Sequence, residues 1–574
     1  MNALAVSSVI ATGRVEIANT RRRALRMAHW RLVWVASGFA ALAVLAVLRI
    51  FWLGLVEASP ANAAGLGLSP PRGDIVDRNG VPLARAFPAY ALWYNPAALG
   101  DDGAPLVRPV EEVAAALART FPDLDQQDVA RRLASGRPGY LRRRILPEDA
   151  NKIHALGEPA LEFPRETERF YPQGSLAAHV LGFVGADGRG HVGMEGVFDK
   201  RLTDPATRGT PAMLSLDSRV QGALEDELLK GMADTNAKGA AGLVLDVDTG
   251  EVLALASLPS FNPNLIDGIG AGNIFNRVTN QVYELGSTFK PITVAAAIDA
   301  GTVTSMARRY QSSRPLEIGG FRIRDLHSYG DTMNVPETLI HSSNIVTAQI
   351  ADELGAARLN ATMRALGMNE RPYIELPARG MPLWPRGDWS RITTMTVSYG
   401  HGIAVTPLHL ASAYAALVNG GIWRPATLQK LAPGQTVEGR RVFKASTSAR
   451  MRQLLRMIVS GGTGKRADAA GYRVGGKTGS AEKPGVGGYQ RTSLVSTFAA
   501  AFPMDRPRYV IIAMLDEPQG TAATFGQRTA GYTAAPVVGR VVPRIGPLLG
   551  IMPDPTRDVN ISDLSPLVAS GEGE

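Results

Sequence analysis

The sequence predicts an α/β (α+β) fold class. It reads as a single N-terminal transmembrane helix, an elongated β-rich platform, and a larger domain in which helices cover both faces of a five-stranded antiparallel sheet. Three observations carry this. A 25-residue apolar run, Leu32 to Val56, is interrupted only by Arg49. Short apolar runs broken by turn residues follow as far as about residue 215. Beyond it, two early strand-like segments and three late ones flank a helical middle, as when both ends of a domain contribute to one sheet.

The apolar run is long enough to cross a bilayer once. Residues 1–31 carry six arginines, Arg14, Arg21, Arg22, Arg23, Arg26 and Arg31, against Glu16. They form a basic tail that the positive-inside rule places in the cytoplasm, leaving everything after residue 56 on the other side. Arg49 lies near the far end and can snorkel, while Trp34 and Trp52 sit where interfacial aromatics do. A cleaved leader ending at Ala61–Ala63 is the competing reading, and the length of the run favours an anchor. This cluster supplies +5 of the net +9 charge, so no basic patch is left for nucleic acid on a folded domain. The chain has no cysteine, which excludes thiolate nucleophiles, disulfides and Cys-ligated metals. Its 8 histidines form no HExxH pair, and no cofactor or metal is expected.

At 574 residues the chain exceeds one core and divides by pattern. "ASPANAAGLGLSPP" reads as a tether. "RGDIVDRNGVPLAR" reads as strand, Asn79-Gly80 turn and strand, and its Arg72-Gly73-Asp74 triplet is an accidental match to an adhesion tripeptide. Residues 110–155 carry helical spacing, broken at Pro122 and Gly136–Pro138. Residues 57–215 contain no nucleophile–base constellation and form a non-catalytic platform. Residues 216–553 form the second domain: "AAGLVLDVDTGEVLALAS" is a hairpin, and "YRVGGKTGSAE", "SLVSTFAAAF" and "RYVIIAMLDEP" are three late strands. Residues 554–574 are polar and are expected to be a loose tail.

The candidate chemistry begins in "YELGSTFKP", residues 283–291. A serine hydroxyl needs a base to become a nucleophile. Positions i and i+3 of a helix share a face, so Ser287 and Lys290 point the same way. Pro291 fits only a first turn, which puts Ser287 at the helix start, where free N–H groups favour negative charge. "ITVAAAIDA" continues as a buried helix, and desolvation favours the neutral amine of Lys290. The S-x-x-K pattern recurs at Ser480–Lys483, and S-x-N occurs at Ser260–Asn262 and at Ser342–Asn344. Each copy alone is equally a cap, a turn or a solvated lysine. Order separates them. Ser342 follows Ser287 by 55 residues, in a break between apolar helical runs, and Lys477 follows by another 135, at a strand beside two glycines. Ser260 lies upstream of everything. Ser480 and Lys483 lie on one strand, where i and i+3 face opposite ways.

S-x-x-K, S-x-N and K-T-G in this order are the signature of penicillin-binding proteins and serine β-lactamases. Together with the N-terminal anchor, "RGDIVDRNG", "ERFYP", "SYGHGIAVTPL" and "KTGS", they make almost the whole chain resemble a class B, monofunctional penicillin-binding protein, most nearly the septal cell-division type. Two positions depart from the common pattern: Leu285 where Pro is usual before the glycine, and Ser480 where Thr is usual after K-T-G.

The resemblance implies peptidoglycan D,D-transpeptidation. Ser287 is then the nucleophile and Lys290 its base. Ser342 relays the proton to the leaving amine, helped by Lys477. Asn344 holds the donor amide, Thr478 and Ser480 hold the terminal carboxylate, and Gly479 between them completes the substrate-binding set. Implied partners are stem peptides, β-lactams, a polytopic SEDS-type glycosyltransferase and bitopic division proteins. An elongation-type transpeptidase, a serine β-lactamase and a catalytically silent division scaffold are the alternatives.

Overall fold

The computed structural model describes residues 27, 29–47, 49, 72–99, 106–185, 187–266, 269–485 and 488–568. The expected tether and most of the basic tail lie outside them, as do residue 48 and the last part of the apolar run, residues 50–56, with Trp52. Two units are described separately, one ending at Leu68 and one beginning at Ser69. In the first, His29–Val47 is one helix of 19 residues with hydropathy 1.8, long and apolar enough to cross a membrane.

The second unit begins with a six-stranded sheet built around the long strand Pro82–Tyr94, which pairs with Ile75–Val76, Gly139–Ile145, Leu161–Glu162 and Arg165–Phe170. Helices Val110–Thr120 and Gln126–Ala134 pack over its far end around Leu92, Tyr94, Leu117 and Leu133. Asp125 caps the second of these by accepting from the Asp128 N–H. Near the sheet's base lies a buried ion network. Glu195, 0% exposed, accepts from Arg72 at 3.0 Å and from Arg169 at 2.6 Å. Tyr171 Oη donates to the same carboxylate at 3.4 Å. Arg72 is in the adhesion-like triplet and Arg169 and Tyr171 in "ERFYP", so two motifs nearly a hundred residues apart meet on one carboxylate.

The platform runs into the second domain without a gap. Ile75–Val76 pairs in parallel with Ala212–Met213, and the Ser215 N–H donates to Leu428 O at 2.8 Å. Asp77 of the Asn79-Gly80 turn accepts from the Ser218 N–H at 3.1 Å and from Ser218 Oγ at 2.8 Å, tying that turn to the start of helix Ser218–Thr235.

The five-stranded sheet is antiparallel, as expected. Its order is Gly475–Gly485, Gly488–Phe502, Tyr509–Asp516, Gly239–Asp246, Val252–Leu258. Both ends of the domain do build it. Side chains alternate between faces with period two. In Tyr509–Asp516, Val510, Ile512 and Met514 enter one core with helices Pro407–Val418 and Ala445–Gly461. Ile511, Ala513 and Leu515 enter the other, with helices Ser218–Thr235 and Ala534–Ile545. The K-T-G strand is an edge strand, which leaves one side of its backbone facing the helical middle.

The expected loose tail is corrected over residues 554–568. Leu564 is 1% exposed in the main core. Asp558 pairs with Arg456 at 2.8 Å, and Asn334 Nδ2 donates to Leu567 O at 2.5 Å. The segment is polar because it crosses the surface, and its few apolar residues pin it there.

Replacing Glu195 with Ala leaves the buried Arg169 guanidinium without a carboxylate and Arg72 with Asp199 alone. Breaking a buried pair this way costs about 3–5 kcal/mol. Urea unfolding of the variant, followed by tryptophan fluorescence, is expected to show a midpoint lowered accordingly, while Ala at exposed Gln127 leaves it nearly unchanged.

Candidate active site

Ser287 sits in a 3₁₀ turn, Gly286–Phe289, that leads directly into helix Lys290–Asp299, with Pro291 in the first turn as expected. In a 3₁₀ turn residues i and i+3 eclipse, which aligns Ser287 with Lys290. The helix is nearly all apolar and buried, so Lys290 is 0% exposed. Removal from water pushes its ammonium down to about 7, against the opposing pull of the Asp325 charge.

The second wall is the break between helices Val335–Ile340 and Asn344–Leu354. Ser342 takes a left-handed conformation, φ +62°, so the chain reverses and turns its side chain toward the lysines. Lys290 Nζ donates to Ser342 Oγ at 3.0 Å and also to the Ser342 carbonyl. Ser343 is the N-cap of the second helix, accepting from the Val346 N–H. Asn344 Nδ2 donates to Arg324 O at 3.0 Å, which orients its amide.

The third wall is the edge strand. Lys477, 0% exposed, donates from Nζ to Ser342 Oγ at 2.9 Å and to Thr478 Oγ1 at 3.2 Å. Its ammonium is held well below the ordinary value, first by burial and then by the charge of Lys290. Two lysines thus converge on one hydroxyl, and each lowers the chance that the other is charged. Thr478 Oγ1 lies 2.9 Å from Thr463 Oγ1, and Ser480 Oγ accepts from the Ala530 N–H at 2.9 Å. A Cβ at Gly479 would stand 2.4 Å from Leu285 O, so only glycine lets this strand pass the nucleophile turn. Gly400, at φ +80°, closes that turn from the other side: its carbonyl accepts from the Gly286 N–H at 3.3 Å, and a Cβ there would meet Gly286 O at 2.2 Å.

The structure therefore gathers Ser287, Lys290, Ser342, Asn344, Lys477, Thr478, Gly479 and Ser480 from three separate elements. It rejects the two decoys. Lys483 is spent on Asp516 at 2.8 Å and Glu517 at 2.9 Å. Ser260 Oγ donates to Ser175 O at 3.2 Å, among turn residues. Three contributors escaped the sequence reading. Asp325 accepts from Ser343 Oγ at 2.6 Å, from the Ile345 N–H at 3.1 Å and from the Asn344 N–H, and so holds the start of the Asn344 helix. Thr463 braces Thr478. Tyr414 Oη donates to Thr288 O at 2.8 Å from inside an apolar helix. Asp325 and Tyr414 carry no local pattern; Thr463 stands in a glycine-rich "GGTG" that signals a close approach. Among the described residues no cluster of His, Cys, Asp or Glu could hold a metal.

The protonation state decides when the base works. Lys290 accepts a proton only as the free amine, a fraction that grows as pH rises through about 7. Acylation of Ser287 by a penicillin is expected to fall about tenfold per pH unit below that point and to level off above it. Stopped-flow rates between pH 5 and 9 measure this, and a flat profile would exclude Lys290 as the base.

Residues 240–542 match the penicillin-binding protein transpeptidase domain, and residues 68–203 match the penicillin-binding protein dimerisation domain. The chain is 41% identical over 495 residues to the probable peptidoglycan D,D-transpeptidase FtsI of Caulobacter vibrioides, covering 84% of this chain and 82% of that one. It is 32% identical over 539 residues to the peptidoglycan D,D-transpeptidase FtsI of Escherichia coli K12, covering 88% and 90%. Penicillin-binding protein 3 of Mycobacterium tuberculosis, in a crystal structure complexed with aztreonam, superposes with a TM-score of 0.66 at 25% identity, covering 86% of this chain and 99% of that one. With both domains matched and relatives of this identity along most of its length, the chain belongs to the class B penicillin-binding proteins.

Proposed function

We propose that this protein is a membrane-anchored peptidoglycan D,D-transpeptidase acting in septal wall synthesis. One observation carries the chemistry: two buried lysines donate to one serine hydroxyl, Ser342 Oγ, beside a second serine at the start of a buried helix. Ser287 Oγ attacks the carbonyl carbon between the two terminal D-alanines, and Lys290 takes its proton. As the C–N bond breaks, that same proton passes from Lys290 through Ser342 Oγ to the leaving amine, and Lys477, hydrogen-bonded to Ser342 Oγ, holds the relay in place. The backbone N–H groups of Ser287 and Ser480 hold the oxyanion, each worth about 3 kcal/mol in the barrier. Asn344 holds the donor amide. Thr478 and Ser480 take the terminal carboxylate, and the donor lies against the open edge of the Lys477 strand in the manner of an added strand. An amine of a neighbouring strand then attacks the ester carbonyl: a C–N bond forms, the C–O bond to Ser287 breaks, and the amine's proton returns to Ser287 Oγ. β-Lactams acylate Ser287 because their strained amide resembles the donor end.

The septal assignment rests on the relatives named FtsI. The helix His29–Val47 supports a single-pass anchor in the inner membrane, with a cytoplasmic N-terminus and the catalytic domain in the periplasm. A SEDS-type glycosyltransferase and bitopic division proteins are the proposed partners, with the anchor and platform as their contacts.

Membranes holding the full chain, labelled with a fluorescent penicillin and run on a denaturing gel, are expected to give a stable band that Ser287→Ala abolishes. No band from folded wild type, with no loss of penicillin over time, points instead to a silent scaffold. Rapid penicillin loss without a band points to a β-lactamase. Exchanging residues 1–56 for an unrelated anchor is expected to weaken septal recruitment, scored by fluorescence microscopy of the tagged protein. Unchanged recruitment would clear the anchor of that role.

A further inference from the structure

Beyond Thr463 lies a cavity of about 400 Å³ that the mechanism above does not use, lined in part by Arg466, Asp468, Phe525, Tyr532 and Arg540. Two of its charged groups are already engaged. Asp468 pairs with Arg456 at 2.9 Å, and Arg540 pairs with Glu227 at 2.6 Å. Arg466 differs. Its guanidinium lies 3.9 Å from the centroid of the Tyr532 ring and 5.8 Å from that of Phe525. Among the described residues it has neither a carboxylate nor a hydrogen-bond partner. Stacking on a ring face fixes a guanidinium while leaving its N–H fork open to a planar anion.

The cavity adjoins the carboxylate-binding wall. Thr463, three residues before Arg466, hydrogen-bonds Thr478 at 2.9 Å. A Cβ at Gly531, next to Tyr532, would stand 2.8 Å from Thr463 O. The Ala530 N–H donates to Ser480 Oγ. One strip of chain, residues 530–532, thus runs from the carboxylate wall to the cavity.

Acyl transfer adds a constraint. The acceptor amine must stand where the departed amine stood, because it attacks the same ester carbonyl. An acceptor with a carboxylate beside that amine sets it on Thr478 and Ser480, where the departed carboxylate was. The rest of the acceptor then extends past that wall, toward Thr463 and the cavity. We infer that the cavity beside Thr463 is an acceptor-strand subsite, in which Arg466, stacked on Tyr532, binds a second carboxylate on the incoming amine substrate. This rests on the transpeptidase reading. The donor half of the reaction does not use Arg466.

The test uses the full chain in detergent, acylated by a peptide donor ending in D-Ala-D-Ala. Two acceptors compete with water: D-α-aminopimelate, which has a distal carboxylate, and D-norleucine, which has none. Wild type is expected to prefer the first by about tenfold in the ratio of transfer to hydrolysis, the size of one charge-assisted hydrogen bond. Arg466→Ala is expected to lose that preference and to keep wild-type penicillin labelling, while Arg466→Lys keeps part of it. Equal use of the two acceptors by wild type, or an undiminished preference in Arg466→Ala, overturns the assignment. So does loss of penicillin labelling in Arg466→Ala, which would make Arg466 a support of Thr478 instead. Failure of wild type to be acylated at all would remove the transpeptidase reading as well, so the two failures are distinct.

Discussion

The site depends on one arrangement: two lysine ammonium groups with no exposure to water, both directed at Ser342 Oγ. Buried charge is costly unless it is paired or shed. Neither lysine has a carboxylate in contact among the described residues; the nearest influence is the charge of Asp325 on Lys290. Burial therefore pushes both lysines toward the free amine. A free amine is the form a serine nucleophile needs beside it. The energetic strain of burial and the catalytic requirement have the same solution.

Much of the surrounding fold serves to hold that arrangement closed. The nucleophile turn is gripped from two sides by backbone, not by side chains. On one side Gly479 lets the edge strand pass Leu285 O, and on the other Gly400 meets Gly286. Side chains at either place would push the lysines apart. Tyr414 adds a bond to Thr288 from within the core. The Ser342 wall is fixed in turn by Asp325 below and by the segment 554–568, which reaches Asn334 at the start of the preceding helix. The polar C-terminal stretch is thus part of the support of the catalytic domain.

The same wall separates two tasks. Thr463 and the Ala530 N–H hydrogen-bond Thr478 and Ser480, and Gly531 links them in sequence to Tyr532 of the Arg466 cavity. A transpeptidase must bind two peptides in succession at one carbonyl, and a shared carboxylate wall with a further cation beyond it suits the second. Platform and catalytic domain also share a core: Ile75, Leu83 and Met194 pack into the same cluster as Leu245 and Val510.

The sequence by itself determined the chemistry and the order of its parts. Residue type and local spacing are enough for that: a Ser287 and Lys290 three apart on one helical face, a Pro291 that marks a first turn, period-two strands at both ends of a domain, and an apolar run of bilayer length. Tertiary structure decided what local spacing cannot encode. Ser480–Lys483 and Ser260–Asn262 have the same patterns as the true motifs. Order along the chain and strand geometry set them aside, and the fold shows where they go instead: Lys483 against Asp516 and Glu517, and Ser260 against Ser175. Asp325 and Tyr414 act through contacts with residues distant in the chain, so no neighbour announces them, and around Thr463 only the flanking glycines hint at a close approach. The tail looked loose because its composition is polar, and Leu564 shows that one buried side chain with a few ion pairs can order such a segment. Depressed lysine protonation was foreseeable for Lys290 from its apolar helix. For Lys477 it depends first on burial and then on Lys290 being beside it, and both exist only once the edge strand has packed against the nucleophile turn.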